Sequence, residues 1–233
     1  MNRRFFITSF LFLSILSQKA IGQERYTLKG NDPNGIRKSY MGRQIAQVMS
    51  HFGIYWLERP EREFEENTAQ LIKNLELKEG MSVADIGAGS GYHSRLISAR
   101  IGKGKVFAVD VEPEMIAFIN ARIKEEKLSN VATVLGTETS VKLPDASVDL
   151  ILLVDVYHEF SFPYEMGVSM YKALKPNGRL VLVEFRAEDF SVPIKEIHKM
   201  SEAQAMKEMK EIGFLLRKNI NNLPWQHCMI FVK

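Results

Sequence analysis

Cysteine is nearly absent: Cys228 is the only one in 233 residues, so no disulfide can form within the chain. Its position near the C-terminus also excludes it as a lipid-anchor cysteine. Internal repeats and low-complexity tracts are missing, which removes solenoid and compositionally biased architectures. Acidic residues are missing from positions 1–22, which carry Arg3, Arg4 and Lys19. The apolar run within that stretch, Phe5 to Leu16, falls short of the roughly 20 residues that a bilayer-spanning helix requires.

What is present there is a basic start, a charge-free apolar run, and the small residues Ala20-Ile21-Gly22 at the spacing of a signal-peptidase site. Residues 1–22 read as a cleaved signal peptide, with an uncleaved anchor as the alternative; either leaves the rest of the chain exported, periplasmic or secreted. Arg3-Arg4 followed by Phe5-Phe6-Ile7 also resembles a twin-arginine signal, and an ordinary secretory signal fits equally. Removing Arg3, Arg4 and Lys19 from 31 basic residues leaves 28, against 28 acidic ones. The mature chain is therefore neutral, and nucleic acid loses its electrostatic support as a partner. The apolar share of 45% and charged share of 25% are those of a globular domain, and the length fits one α/β unit.

Residues 23–39 are polar and turn-rich and read as a tether. Ile45, Val48, Met49 and Phe52 recur with helical spacing, predicting a helix over Ser39–Trp56, and Pro60 opens a second that runs to about Leu75. Together these predict a helical cap over residues 40–76. Strands and helices then alternate: Ser82–Ile86, a helix from Tyr92, Lys105–Asp110, a helix opened by Pro113, Val131–Leu135, Val148–Val154, a helix from Tyr164, and Arg179–Phe185. Ser201-Glu-Ala-Gln204 caps a last helix, with Met206 and Met209 placed inward. The strands near Phe214–Asn219 and Gln226–Val232 have too short a link for a helical crossover and must pair antiparallel.

Asp85-Ile-Gly87-Ala-Gly89-Ser-Gly91 follows a strand and opens a helix, where backbone amides meet a ligand. A dinucleotide fingerprint spaces its glycines G-x-G-x-x-G and seats a pyrophosphate. Here the spacing is G-x-G-x-G, and Asp85 just before it suits a cationic ammonium and repels pyrophosphate. Asp110, ending the second strand, stands where a carboxylate accepts two ribose hydroxyls.

Val83–Gly91, Val109–Met115, Leu143–Asp149 and Leu174–Leu180 stand in the order seen in class I S-adenosylmethionine-dependent methyltransferases, and residues 68–232 resemble that family. The resemblance implies a Rossmann-like, doubly wound α/β fold with a seven-stranded sheet whose last strand is antiparallel. It implies S-adenosylmethionine as cofactor, with Gly87, Ala88, Gly89, Ser90 and Gly91 under its methionine part and Asp85 near its amino group. Asp110 would hold the ribose, Val111 the adenine face and Thr137-Glu138 the adenine edge, with Asp155 completing the cofactor side. Thr137 stands where the family often has an aspartate, and Glu138 is its possible substitute. Gly42-Arg43, Trp56–Arg62, Asp155–Glu159, Val192–Lys195 and His198–Ser201 resemble an exported bacterial subgroup that carries no known acceptor.

The fourth strand ends in Asp155-Val-Tyr157-His158-Glu159, which should face the transferred methyl. His158 is the candidate base, Glu159 its orienting partner, and Tyr157 a shaper of the pocket. Glu184, Arg186, His198 and Lys199 are further candidates for the acceptor wall, and Tyr55 and Trp56 for its cover. No metal is expected, because the second strand lacks the Asp-Asn pair of catechol-type enzymes that would let Asp155, Glu159 and Glu184 hold one. No Asn-Pro-Pro-Tyr sequence occurs, which argues against nucleic-acid base amines and leaves a small-molecule acceptor. Two competing readings are a nicotinamide-dependent oxidoreductase and an exported, non-enzymatic S-adenosylmethionine-binding protein.

Overall fold

A computed structural model describes residues 25–233. The expected signal peptide lies outside the described residues. Among these residues no helix is long and apolar enough to cross a membrane.

The central sheet forms from β4 (Ser82–Ile86), β5 (Lys105–Asp110), β6 (Val131–Leu135), β7 (Val148–Val154), β8 (Leu174–Arg186), β10 (Leu215–Asn219) and β11 (Gln226–Val232). Their order is β10-β11-β8-β7-β4-β5-β6, and the two-residue β9 (Lys199–Met200) pairs with the end of β8. β4, β5, β6, β7 and β8 run parallel, whereas β11 is antiparallel to both β8 and β10. The α/β doubly wound fold and its antiparallel last strand are as the sequence implied.

β7 shows why this sequence forms a central strand. Leu150, Ile151, Leu152 and Leu153 are all fully buried. Leu150 and Leu152 join one core with Ile97, Ile101 and Leu71, from α4 (Tyr92–Ile101) and α3 (Thr68–Asn74). Ile151 and Leu153 join the opposite core with Met170 and Met209, from α6 (Pro163–Ala173) and α7 (Glu202–Ile212). Alternate residues thus fill opposite faces, and each large apolar side chain contributes about 1.5–3 kcal/mol by leaving water. The helix α5 (Pro113–Glu125) opens on Pro113 as expected. Ser201 caps α7 by accepting from the Gln204 amide at 3.1 Å, but only Met209 faces inward; Met206 is 43% exposed.

The N-terminal segment departs from expectation. In place of a tether and a helix, β1 (Tyr26–Thr27), β2 (Gly35–Tyr40) and β3 (Arg43–Ala46) form a separate antiparallel sheet. Met41 and Gly42 take φ of 50° and 99°, the conformation of a tight hairpin turn, and Tyr40, Ile45 and Ala46 become fully buried. The apolar spacing that suggested a helix arises from a strand end followed by a loop. The helical part of the cap comprises α1 (Ile54–Leu57), α2 (Arg62–Glu66) and α3. The single helix expected from Pro60 to Leu75 is broken at Asn67, whose φ is 52° and whose side chain caps α3.

Candidate functional site

Parallel strands place their carboxyl ends, and the loops that follow, on one edge, and at the topological switch between β4 and β7 these loops part. A cavity of about 620 Å³ opens there, within the range of small-ligand sites. Gly87 and Gly89 come to it from the loop after β4, Asp110 and Val111 from β5, Thr137 and Glu138 from beyond β6, and Asp155, His158 and Glu159 from beyond β7. Tyr55, Trp56, Arg59, Arg62 and Glu66 of the N-terminal segment form its cover.

Gly87, Gly89 and Gly91 hold φ of 66°, 55° and 76°, conformations that only glycine takes without strain. Beneath the loop, the Arg122 guanidinium binds Glu58 at 2.7 Å and the Ser90 carbonyl at 3.0 Å, and the Ser90 hydroxyl donates to Glu58. These contacts hold Glu58 below its usual titration range despite partial burial. Asp110 accepts from the Gly89 amide at 2.9 Å and the Glu112 amide at 3.0 Å. Burial raises Asp110 from the ordinary carboxylate range, and those amides act against the rise.

Four residues expected to touch a cofactor do not line the cavity: Asp85, Ala88, Ser90 and Gly91. Asp85 shares a strand face with Val83 and turns toward α4, where the Ser94 hydroxyl donates to it at 2.7 Å. Burial there raises its carboxyl to about 6. Ser90 is committed to Glu58, and Gly91 is the left-handed residue that starts α4. Asp155 does line the cavity. Its φ is 50°, its Oδ2 accepts from Gln226 at 2.6 Å, and its Oδ1 is buried without a hydrogen-bond partner among the described residues. Burial, then the nearby Glu66 and Glu184, push its carboxyl well up.

A one-turn helix at Tyr157–Glu159 separates the three candidate catalytic residues. Tyr157 points away from the cavity and into the core, fully buried, so it shapes the core and not the pocket wall. His158 and Glu159 face the cavity, but Glu159 does not orient the ring. That partner is Glu184, fully buried on β8, whose carboxylate lies 2.6 Å from His158 Nδ1. Nδ1–H therefore donates to Glu184, and the neutral ring keeps its lone pair at Nε2. Burial opposes protonation of His158, but Glu184 outweighs it and raises the ring. Glu159 stands 3.8 Å from Nε2, and burial raises it to about 7. His198, on a second short turn, places Nδ1 3.1 Å from His158 Nε2; burial lowers it to about 4.

Arg186 and Lys199 are outside the cavity: Arg186 binds the Leu223 and Pro224 carbonyls, and Lys199 binds Glu196. Two contributions were not read from sequence. Arg62 pairs with Glu66 at 2.8 Å within the cavity cover, a partnership their four-residue spacing on α2 could have signalled. Arg43 of β3 grips Glu208 at 2.8 Å and donates to the His158 carbonyl at 3.0 Å. No local pattern signals that pair, whose members lie far apart in the chain. It makes the N-terminal sheet a buttress for the His158 turn.

Residues 84–182 match the protein family described as methyltransferase domain. A protein-L-isoaspartate O-methyltransferase of Pyrococcus horikoshii is 30% identical over 114 residues, 49% of this chain and 49% of that protein. The uncharacterized methyltransferase YcgJ of Bacillus subtilis is 27% identical over 69% of this chain and 64% of its own length. The chain thus aligns with about half the length of the isoaspartate-type relative. A crystal structure of an S-adenosylmethionine-dependent methyltransferase from Aquifex aeolicus superposes with a TM-score of 0.74 and 25% identity, over 79% of this chain and 98% of that one. The residues fit the cofactor of that enzyme: Asp110 keeps two free acceptor positions, and the left-handed Gly87 and Gly89 bare their backbone to the cavity. Residues 84–182 thus match a methyltransferase domain, within a chain that has the fold of S-adenosylmethionine-dependent methyltransferases.

Proposed function

We propose that this protein transfers a methyl group from S-adenosylmethionine to a small-molecule acceptor whose reactive atom lies against His158. The observation that carries this reading is one cavity lined both by Gly87, Gly89 and Asp110 and by His158, with Glu184 holding the His158 ring from behind. Bound S-adenosylmethionine supplies a methyl carbon on a cationic sulfur, open to in-line attack. Asp110 would hold the ribose, Val111 the adenine face, and Thr137 and Glu138 the adenine edge. Asp155 would face the positive charge of the ligand. Most of the rate then comes from positioning, which the buttressed His158 turn and the Trp56 cover supply by fixing the acceptor and excluding water. For a hydroxyl or amine acceptor, His158 Nε2 stands ready to take the proton, with Glu184 stabilising the imidazolium.

Calorimetric titration of the full chain with S-adenosylmethionine, S-adenosylhomocysteine and NAD tests the cofactor half. Binding of the two adenosyl ligands and not NAD is expected; binding of NAD alone would overturn it. A screen of small hydroxyl and amine acceptors with labelled methyl donor then separates turnover from mere binding. We further propose that the protein works outside the cytoplasm, supported by the basic-then-apolar pattern of residues 3–22. A reporter fused after residue 30 should be exported, and retention in the cytoplasm would refute this.

A further inference from the structure

We propose that His158, Glu159 and His198 form a binding site for one divalent transition-metal ion, open to the acceptor end of the cavity. This rests on the methyltransferase reading only for where the acceptor lies. One ligand atom from each residue falls within 4.8 Å of the others. His158 Nε2 and His198 Nδ1 are 3.1 Å apart, and His158 Nε2 and Glu159 Oε1 are 3.8 Å apart. With metal–ligand bonds of about 2.1 Å, those separations subtend roughly 95° and 130° at a shared ion, angles that a four- to six-coordinate centre accommodates.

The surroundings are those of a metal-ligating histidine. Such a ring almost always donates its second nitrogen to a carboxylate, which fixes the tautomer and aims the lone pair. Glu184 does this for His158 at 2.6 Å while being fully buried, and so contributes from behind the ligand. Two turns from separate parts of the chain are needed to bring the rings together, Tyr157–Glu159 after β7 and Glu196–His198 before β9, and β3 packs against both.

Two imidazoles and a carboxylate favour zinc, cobalt, nickel or ferrous ions over magnesium or calcium. His158, Glu159 and His198 all line the cavity, so the remaining coordination positions face the acceptor. An ion there takes over the lone pair of His158 Nε2 and acidifies a bound hydroxyl in place of direct proton removal by the ring. The acceptor class narrows accordingly to molecules that present an ionisable oxygen to a metal.

The test is titration of chelator-treated full-length protein with Co²⁺, followed by its visible absorption, with Zn²⁺ as competitor. One ion per chain is expected, displaced by Zn²⁺. His198→Ala and Glu159→Gln should each weaken binding at least tenfold, and Glu184→Gln by roughly 10–100-fold, the range for a lost outer partner. His51→Ala should leave it unchanged, which separates this site from the partly exposed His51, Glu112 and Glu114 cluster. S-adenosylhomocysteine affinity, measured on the same variants, should stay within about twofold, which also verifies that they fold. Absence of a bound ion in wild type at micromolar Co²⁺, or binding unaffected by both His198→Ala and Glu159→Gln, would overturn the proposal. Loss of S-adenosylhomocysteine binding in wild type would instead sink the methyltransferase reading and leave the metal result standing.

Discussion

Replacing Asp110 with alanine probes the cofactor end of the cavity most directly. A carboxylate offers about four lone-pair positions. Two are occupied, by the Gly89 amide at 2.9 Å and the Glu112 amide at 3.0 Å, and two remain for the hydroxyls of a ribose. Hydrogen bonds to a charged acceptor contribute about 1.5–3 kcal/mol each, so losing two costs about 3–6 kcal/mol, or roughly 10²- to 10⁴-fold in Kd. The substitution also strips two backbone amides of their acceptor, at about 1–3 kcal/mol each if they stay buried. Thermal unfolding must therefore be recorded first, and binding measured well below the transition. The assay is calorimetry with S-adenosylhomocysteine and with its 2′,3′-dideoxy analogue on wild type and variant. In wild type the analogue should bind more weakly by about the same factor as the substitution; in Asp110→Ala the two ligands should bind alike. This cycle separates ribose contacts from disturbance of the loop. An analogue penalty that persists in the variant, or a variant that binds within tenfold of wild type, would refute the assignment of Asp110 to the ribose.

Other substitutions address the scaffold. Asp85→Asn removes a buried carboxyl raised to about 6 from 3.8. The native carboxyl is protonated in both states below the lower value and pays its burial cost fully above the higher one. The variant should therefore gain stability relative to wild type by about 3 kcal/mol between pH 4 and pH 6, and parallel urea-stability curves across that window would contradict this. Gly89→Ala places a Cβ 2.6 Å from Leu57 Cδ1 at a φ of +55°, so stability should fall by about 1–2 kcal/mol from strain alone and S-adenosylhomocysteine should bind at least tenfold more weakly. Unaltered calorimetric affinity would show that the loop does not meet the ligand. Arg43→Ala leaves Glu208 fully buried and unpaired, which should cost about 3–5 kcal/mol in denaturant unfolding. A cost below 1 kcal/mol would mean that the N-terminal sheet is dispensable to the His158 turn.

The sequence alone determined the αβ alternation, the parallel core and the antiparallel closing hairpin. These rest on short-range signals: four consecutive buried apolar residues at Leu150–Leu153, Pro113 at a helix start, and a link before Gln226 too short for a crossover. The glycine loop was equally legible, because positive φ at Gly87, Gly89 and Gly91 demands glycine locally. Side-chain direction was not. Asp85 and Tyr157 read as site residues because they adjoin site residues in the chain, yet strand pleating turns Asp85 toward Ser94, and a one-turn helix turns Tyr157 into the core. The N-terminal segment was misread because Ile45, Val48, Met49 and Phe52 satisfy a helical period while the hairpin at Met41-Gly42 satisfies burial of Tyr40, Ile45 and Ala46. Only the tertiary structure decided which carboxylate orients His158, and that His198, forty residues away, meets its other nitrogen. Such pairs form when separate loops converge at a sheet edge, and the energy of that convergence resides in contacts that no local window of sequence contains.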